Sequence, residues 1–212
     1  LGGNFASGSS TFSGDITLNK SVDLTAAGTS VVTFSGQLID GTGTTNLTKT
    51  GTGVVVLSNT ANNYDGATAI NAGTLRVGAA GVITDGSATT VASGATFDLN
   101  GFSEVIGSLA GSGSVNGTSG TNTLTAGGNN ASTTFSGIIS DGAGTLSLTK
   151  TGTGTMTLTG ANTYDGATTV SAGTLIAANN TALGSSAAGT TVNTSATLGL
   201  QGGITVTGES LA

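Results

Sequence analysis

The chain has 212 residues, a net charge of −6, 38 Gly and 42 Thr, and no Pro, Cys, Trp or His. Four basic residues (Lys20, Lys49, Arg76, Lys150) are too few for a nucleic-acid footprint, and no apolar run approaches the roughly 20 residues that span a bilayer. Zero Cys excludes disulfides and thiol chemistry, while 36% hydrophobic residues with only 7% charged ones exclude a disordered polar tract.

Thr favours strands because its branched Cβ suits a pleated surface, and Gly at this level argues against long helices. Residues 1–33 carry Thr11-Phe12-Ser13-Gly14, whose Phe-Ser-Gly returns at Phe34–Gly36 and again at Phe135–Gly137. From there two long copies unfold, over 34–101 and 135–202, joined by a bridging segment, 102–134. Leu47-Thr48-Lys49 matches Leu148-Thr149-Lys150 at an offset of 101, and Asn62 to Leu75 matches Asn162 to Leu175 at 100. One extra residue therefore sits in the first copy before Ala61. The offset is 101 again by Val91 and Val192.

Self-similarity at a fixed long period signals stacked coils. Thr155-Met156-Thr157-Leu158-Thr159 alternates strictly, with Met156 and Leu158 inward. Val170, Leu175, Leu198 and Leu200 continue the inward set. Comparing the copies tests the facing. Arg76 stands where Ile176 does, and Val54 and Val56 where Thr155 and Thr157 do, so these positions point outward. Val55 and Leu57 become Met156 and Leu158, and Leu75 becomes Leu175, so these stay in the core. The turn residues between them are Tyr-Asp-Gly, Ser-Ala-Gly and Asn-Asn. The expected fold is all-β, a single parallel β-solenoid over 1–212 with about ten coils of roughly 20 residues and a length near 50 Å. A sandwich or barrel with Asp-Gly hairpins is the structural alternative.

The text "LTKTGTGTMTLTGANTYDGATTVSAGTL" from Leu148 resembles the autotransporter-associated β-strand repeat, also called the passenger-associated transport repeat. Leu148, Lys150, Gly152, Gly154, Leu158, Asn162, Tyr164, Gly166, Thr168, Val170, Gly173 and Leu175 fall on its pattern. Leu47, Lys49, Gly51, Gly53, Leu57, Asn62, Tyr64, Gly66, Thr68, Ile70, Gly73 and Leu75 repeat it. The resemblance implies a right-handed parallel β-helix, export from a Gram-negative-type cell, and a place in a long secreted or surface passenger. The ends read as cut from something longer, since "GITVTGESLA" stops in mid-pattern.

No residue pattern makes a persuasive catalytic, cofactor or metal site. Five acids precede Gly (Asp40, Asp65, Asp85, Asp141, Asp165), which is turn chemistry; the nonapeptide that builds calcium sites in solenoids is absent. Ser147-Leu148-Thr149-Lys150-Thr151-Gly152 combines Ser-x-x-Lys with Lys-Thr-Gly, as in serine β-lactamases. On a strand, however, positions i and i+3 face opposite ways. Lys49 and Lys150 are expected as corner lysines in contact with water. Tyr64 and Tyr164 are expected to cap coils with their hydroxyls at the surface, and Asn62 and Asn162 offer places in an asparagine stack at the corners, although several coils apart they cannot touch each other.

The expected function is structural: a stiff extracellular stalk or filament segment, with no enzyme activity and no cofactor. Its partners would be segments of the same or like chains stacked end to end, and host or biofilm surfaces. Nucleic acid and membrane insertion of this segment are excluded. The alternative is a glycan- or surface-binding adhesin, for which Tyr64 and Tyr164 would have to be exposed. Ice binding on outward Thr rows and a polysaccharide-degrading enzyme are weaker alternatives.

Overall fold

A computed structural model describes residues 1–3 and 5–212. Among them there is no helix, and every strand pairing is parallel. The strands stack as a β-solenoid of about nine turns. The estimate of ten coils was slightly high because a turn takes more than 20 residues on average. Partners on successive turns are separated by 18 residues (Thr96 to Ser114) up to 25 (Leu24 to Lys49).

Each turn has up to three sides. The first face is one continuous ten-stranded sheet, running from Gly2–Gly3 through Leu47–Thr50 and Thr155–Leu158 to Thr197–Leu200. The second face is a seven-stranded sheet that includes Val54–Leu57, Thr74–Val77 and Ile138–Ser140. The third begins with Ile16–Leu18 paired to Leu38–Asp40 and resumes as five strands from Glu104–Ile106 to Thr190–Val192. Side-chain and main-chain bonds through Asn62, Asn63, Val82 and Glu104 connect these two parts.

Alternation places the core as the sequence implies. Val55, Leu57, Leu75, Met156, Leu158, Val170 and Leu175 are buried, and the outward positions Val54, Val56, Thr155, Thr157 and Ile176 are partly exposed. Arg76 is outward too. Two residues depart from expectation: Leu198 is only partly buried and Leu200 is 61% exposed. Both lie on the last strand of the first face, which has no further strand above it. There Leu183, Val192, Leu198, Leu200, Val206 and Leu211 line an opening of about 420 Å³.

The two copies of the repeat occupy different sides of the solenoid. Leu47–Thr50 lies on the first face and Val54–Leu57 on the second, whereas their counterparts Thr145–Lys150 and Thr155–Leu158 lie on the third and the first. From Leu47–Thr50 the first face advances five steps to reach Thr155–Leu158. The counterpart of that strand comes one face after Leu47–Thr50, so the period is five turns less one face. The second copy is thus rotated by about a third of a turn relative to the first. The extra residue before Ala61 is taken up in a turn, where Asn59 Oδ1 accepts from Ala61 N at 2.9 Å.

Gly73 shows why the motif glycines are required. Its φ is +62°, and a Cβ there would stand 2.5 Å from the carbonyl oxygens of Gly51 and Gly53 on the preceding coil. Gly173 repeats this, at φ +65° and 2.4 Å from the Gly152 oxygen. Both the conformation and the coil-to-coil approach exclude a side chain.

The register makes a direct prediction. Leu175→Asp places an unpaired carboxylate in a fully buried position and should abolish cooperative thermal unfolding measured by circular dichroism. Ile176→Asp, one residue on and outward, should stay within about 0.5 kcal/mol of wild type in a urea melt.

Candidate functional site

The chemistry of the chain is concentrated where the repeat turns its corners. Lys49 follows Leu47 at a spacing of two, so alternation aims it inward, and it is 1% exposed. Its ammonium donates to the carbonyl oxygens of Thr50, Gly51 and Ala72, each at 2.8 Å. Lys150 does the same with Thr151 (2.6 Å), Gly152 (2.9 Å) and Ala172 (3.3 Å). In each case two acceptors belong to the lysine's own coil and the third to the next one. All three N–H donors of the ammonium are used. These lysines are therefore not water-facing corner residues: the corner gathers carbonyls that need donors. Burial lowers the pKa of both, that of Lys49 to about 8.

Asn62 and Asn162 each tie three coils together. Asn62 Oδ1 accepts from Leu38 N on the coil before (2.8 Å), and its Nδ2 donates to Val82 O on the coil after (2.9 Å). Asn162 accepts from Ile139 N (2.9 Å) and donates to Ala182 O (2.6 Å). They bridge main chain and do not stack on one another. Tyr64 and Tyr164 are fully buried, which corrects their expected surface position. Tyr64 Oη pairs with Thr68 Oγ1 at 2.8 Å, and Thr68 Oγ1 with Ser87 Oγ at 2.8 Å on the following coil. Tyr164 pairs with Thr168 at 2.6 Å, and Thr168 donates to Leu183 O at 3.3 Å. Burial pushes the Tyr64 phenol up to about 12 and raises Tyr164 as well.

Two ionic features, one in the first copy and one just after it in the bridging segment, have no counterpart in or after the second copy. Arg76 Nε meets Asp98 Oδ2 at 2.8 Å across adjacent coils, with side-chain exposures of 37% and 3%. Asp98 Oδ1 also accepts from Asn100 N and Thr118 Oγ1. In the second copy the register partners are Ile176 and Gly199, against Arg76 and Asp98 in the first. Both members of the pair are absent together. Glu104 is buried and accepts from three successive amides, Gly81 (3.0 Å), Val82 (3.3 Å) and Ile83 (2.8 Å). Burial raises it to about 7, with the nearby Asp85 adding to the rise and the three N–H bonds opposing it.

The acids of the Asp-Gly turns are used in similar ways. Asp65 Oδ1 accepts from Thr45 N, and Asp141 Oδ2 accepts from Asp165 N on the next coil. Among the described residues, no cluster of three or more His, Cys, Asp or Glu side chains could hold a metal. Ser147 and Lys150 point to opposite sides of their strand, with Ser147 outward and Lys150 buried, so the structure does not bring them together. The lysine is already committed to carbonyls.

Family comparison locates these corner groups within a known unit. The passenger-associated-transport-repeat family matches residues 47–77 and 148–177. The chain carries two passenger-associated-transport repeats. Each holds one Lys cage, one Asn bridge and one buried Tyr–Thr pair, where the residue types alone point to surface lysines and tyrosines and a corner asparagine stack. The chain is also 41% identical over 138 residues to the BmaC autotransporter adhesin of Brucella suis biovar 1 (strain 1330). That stretch is 63% of this chain and 4% of the adhesin, so the chain spans only a small part of that relative's length. No solved structure matches the chain significantly.

Two tests address the corner groups of the repeats. Lys49→Met leaves three carbonyls without their donor and should cost about 1–3 kcal/mol in a urea melt. Between pH 8 and about 10 the unfolded chain retains the Lys49 proton that the folded chain has lost, so stability should rise with pH there, and Lys49→Met should flatten that rise. Above that the unfolded tyrosines ionise and oppose it. For Glu104 the sign is reversed. Between about 4.5 and about 7 the folded chain keeps a proton that the unfolded chain releases, so stability should fall as pH rises, and Glu104→Gln should remove the fall.

A third test uses the natural comparison between the copies. Arg76→Ile alone leaves Asp98 without its charge partner, whereas Arg76→Ile with Asp98→Gly recreates the second copy. A double-mutant cycle should give a coupling of about 0.5–1 kcal/mol, modest because Arg76 is partly exposed.

Proposed function

We propose that this chain is a rigid structural segment of an extracellular, adhesin-like autotransporter passenger, displayed at the surface of or released from a Gram-negative bacterium. The observation that carries this reading is the location of the buried polar groups. Lys49, Asn62, the Tyr64–Thr68 pair and their counterparts are buried and each ties its coil to a neighbour, the lysines by one of their three bonds, the asparagines by both of theirs and the tyrosines through their threonine. A site built for catalysis would leave such groups facing a ligand; here they face main chain and buried hydroxyls. The family match and the likeness to an autotransporter adhesin support the same role.

Stacked repeats make rods, and rods project what they carry. About nine turns at about 4.8 Å give a length near 43 Å. We also assign the end rungs as surfaces on which further coils of the same or like chains stack. Within the molecule coil already stacks on coil through parallel register pairs, the same contact that a further coil would make. Tyr64 and Tyr164, the aromatics on which a glycan groove was expected to rest, are internal, and the exposed aromatics are Phe5, Phe12 and Phe102.

Immobilised protein should not bind host cells or extracellular matrix saturably, while electron microscopy shows stiff rods. Saturable binding abolished by the outward charges Thr149→Lys and Thr169→Lys, with the fold retained, would make the segment the adhesive surface itself.

A further inference from the structure

We propose that the chain is two coil-clamped blocks joined at a built-in point of bending, located on the ten-stranded face where Ser108–Gly111 meets Thr133–Phe135. Along that face every other step is fixed by two to four register pairs. This step has one, Gly111 with Phe135. Gly111 itself sits at φ +109° and is the residue at which its strand ends.

The surrounding segment has none of the three clamps that recur in the two blocks; its cross-coil side-chain bonds come from Asp98, Glu104 and Asn129. The Lys cages, Asn bridges and Tyr–Thr pairs lie within 38–87 and 139–183. Two of the three non-glycine residues with positive φ among the described residues, Asn100 and Asn130, lie in the segment between. Within it Asn122 is buried with its Oδ1 unpartnered, the one such side-chain atom among the described residues. Strain and an unmet acceptor both lower the free energy needed to open a region.

The opening is directional. On the third face the same two coils are joined by six consecutive register pairs, Thr121–Ala126 with Thr145–Lys150, the longest pairing in the molecule. On the second face they share three, Ser114–Asn116 with Ile138–Ser140. The third face therefore acts as the hinge line and the first face as the side that parts. A stalk built this way bends toward the third face under load while both blocks keep their stacking.

Hydrogen–deuterium exchange on the 212-residue chain tests this without any variant. Amides of Thr133–Ser136, including Ser136 N bonded to Gly111 O at 2.8 Å, should exchange at least about tenfold faster than those of Thr145–Lys150 and Thr155–Leu158. Oxidised Ala110→Cys/Thr134→Cys joins outward neighbours across the weak step and should remove that difference. Oxidised Thr125→Cys/Thr149→Cys, on the hinge side, should leave it in place. Equal exchange in all three segments of the wild type would overturn the proposal. So would equal protection of Thr133–Ser136 by either cross-link, because the two coils would then part evenly.

Discussion

A parallel stack satisfies its straight sides automatically and its corners only by design. Along each side, strand pairs with strand at the usual spacing, and every amide finds a carbonyl. At a corner the chain changes direction, the ladder stops, and main-chain groups converge inside a core one or two residues thick. Buried and unpaired, such groups cost as much as lost hydrogen bonds. The corner chemistry of this molecule matches the sign of what converges. Where carbonyls gather, a lysine ammonium supplies three donors, as at Lys49 and Lys150. Where amides gather, a carboxylate accepts them, as Glu104 does from residues 81–83. Where one coil offers an amide and another a carbonyl, a carboxamide serves both, as Asn62 and Asn162 do. At these corners Lys49, Lys150 and Glu104 are thus buried without ion pairing, each solvated by fixed dipoles in place of water.

This explains which parts of the structure could be read from the sequence. Period-two alternation identified the inward residues from Val55 to Leu175, because it depends only on local geometry. The same rule also aims Lys49 inward, two residues after Leu47, and Lys150 two after Leu148. Hydropathy argued against that placement, and hydropathy describes a side chain in isolation rather than three carbonyls waiting for it. The tyrosines were misplaced for the same reason: a phenol looks like a surface group until a Thr hydroxyl four residues on is found to meet it. Leu200 was misplaced in the opposite sense. Its facing is right, yet burial also needs a coil above, and alternation within a strand carries no information about that.

The Arg76–Asp98 pair and its replacement by Ile176 and Gly199 show how far neighbouring coils constrain each other. The two positions are register partners about 22 residues apart. Asp98 is almost inaccessible, so its carboxylate depends on what the adjacent coil presents. A branched apolar residue opposite glycine fills the same space with no charge to compensate. The unit of substitution on such a surface is the cross-coil pair rather than the single residue.

The rotation between the repeats separates stacking from facing. Counterpart strands lie on different sides of the rod, yet the Lys and Asn contacts and the Tyr–Thr pair recur at equivalent positions, and only the threonine's onward bond differs, to Ser87 in one copy and Leu183 in the other. Those contacts reach only one coil back and one coil forward. The repeat therefore encodes how a coil sits on its neighbours and is indifferent to its direction around the axis. Its outward residues cannot line up from one copy to the next, so they cannot form one continuous ladder of equivalent groups. Val54 and Val56 in one copy look away from Thr155 and Thr157 in the other. Any extended surface on this rod must be composed of non-equivalent residues drawn from the repeats and from the coils between them. The repeat's own contribution is to fix the stack on which that surface is displayed.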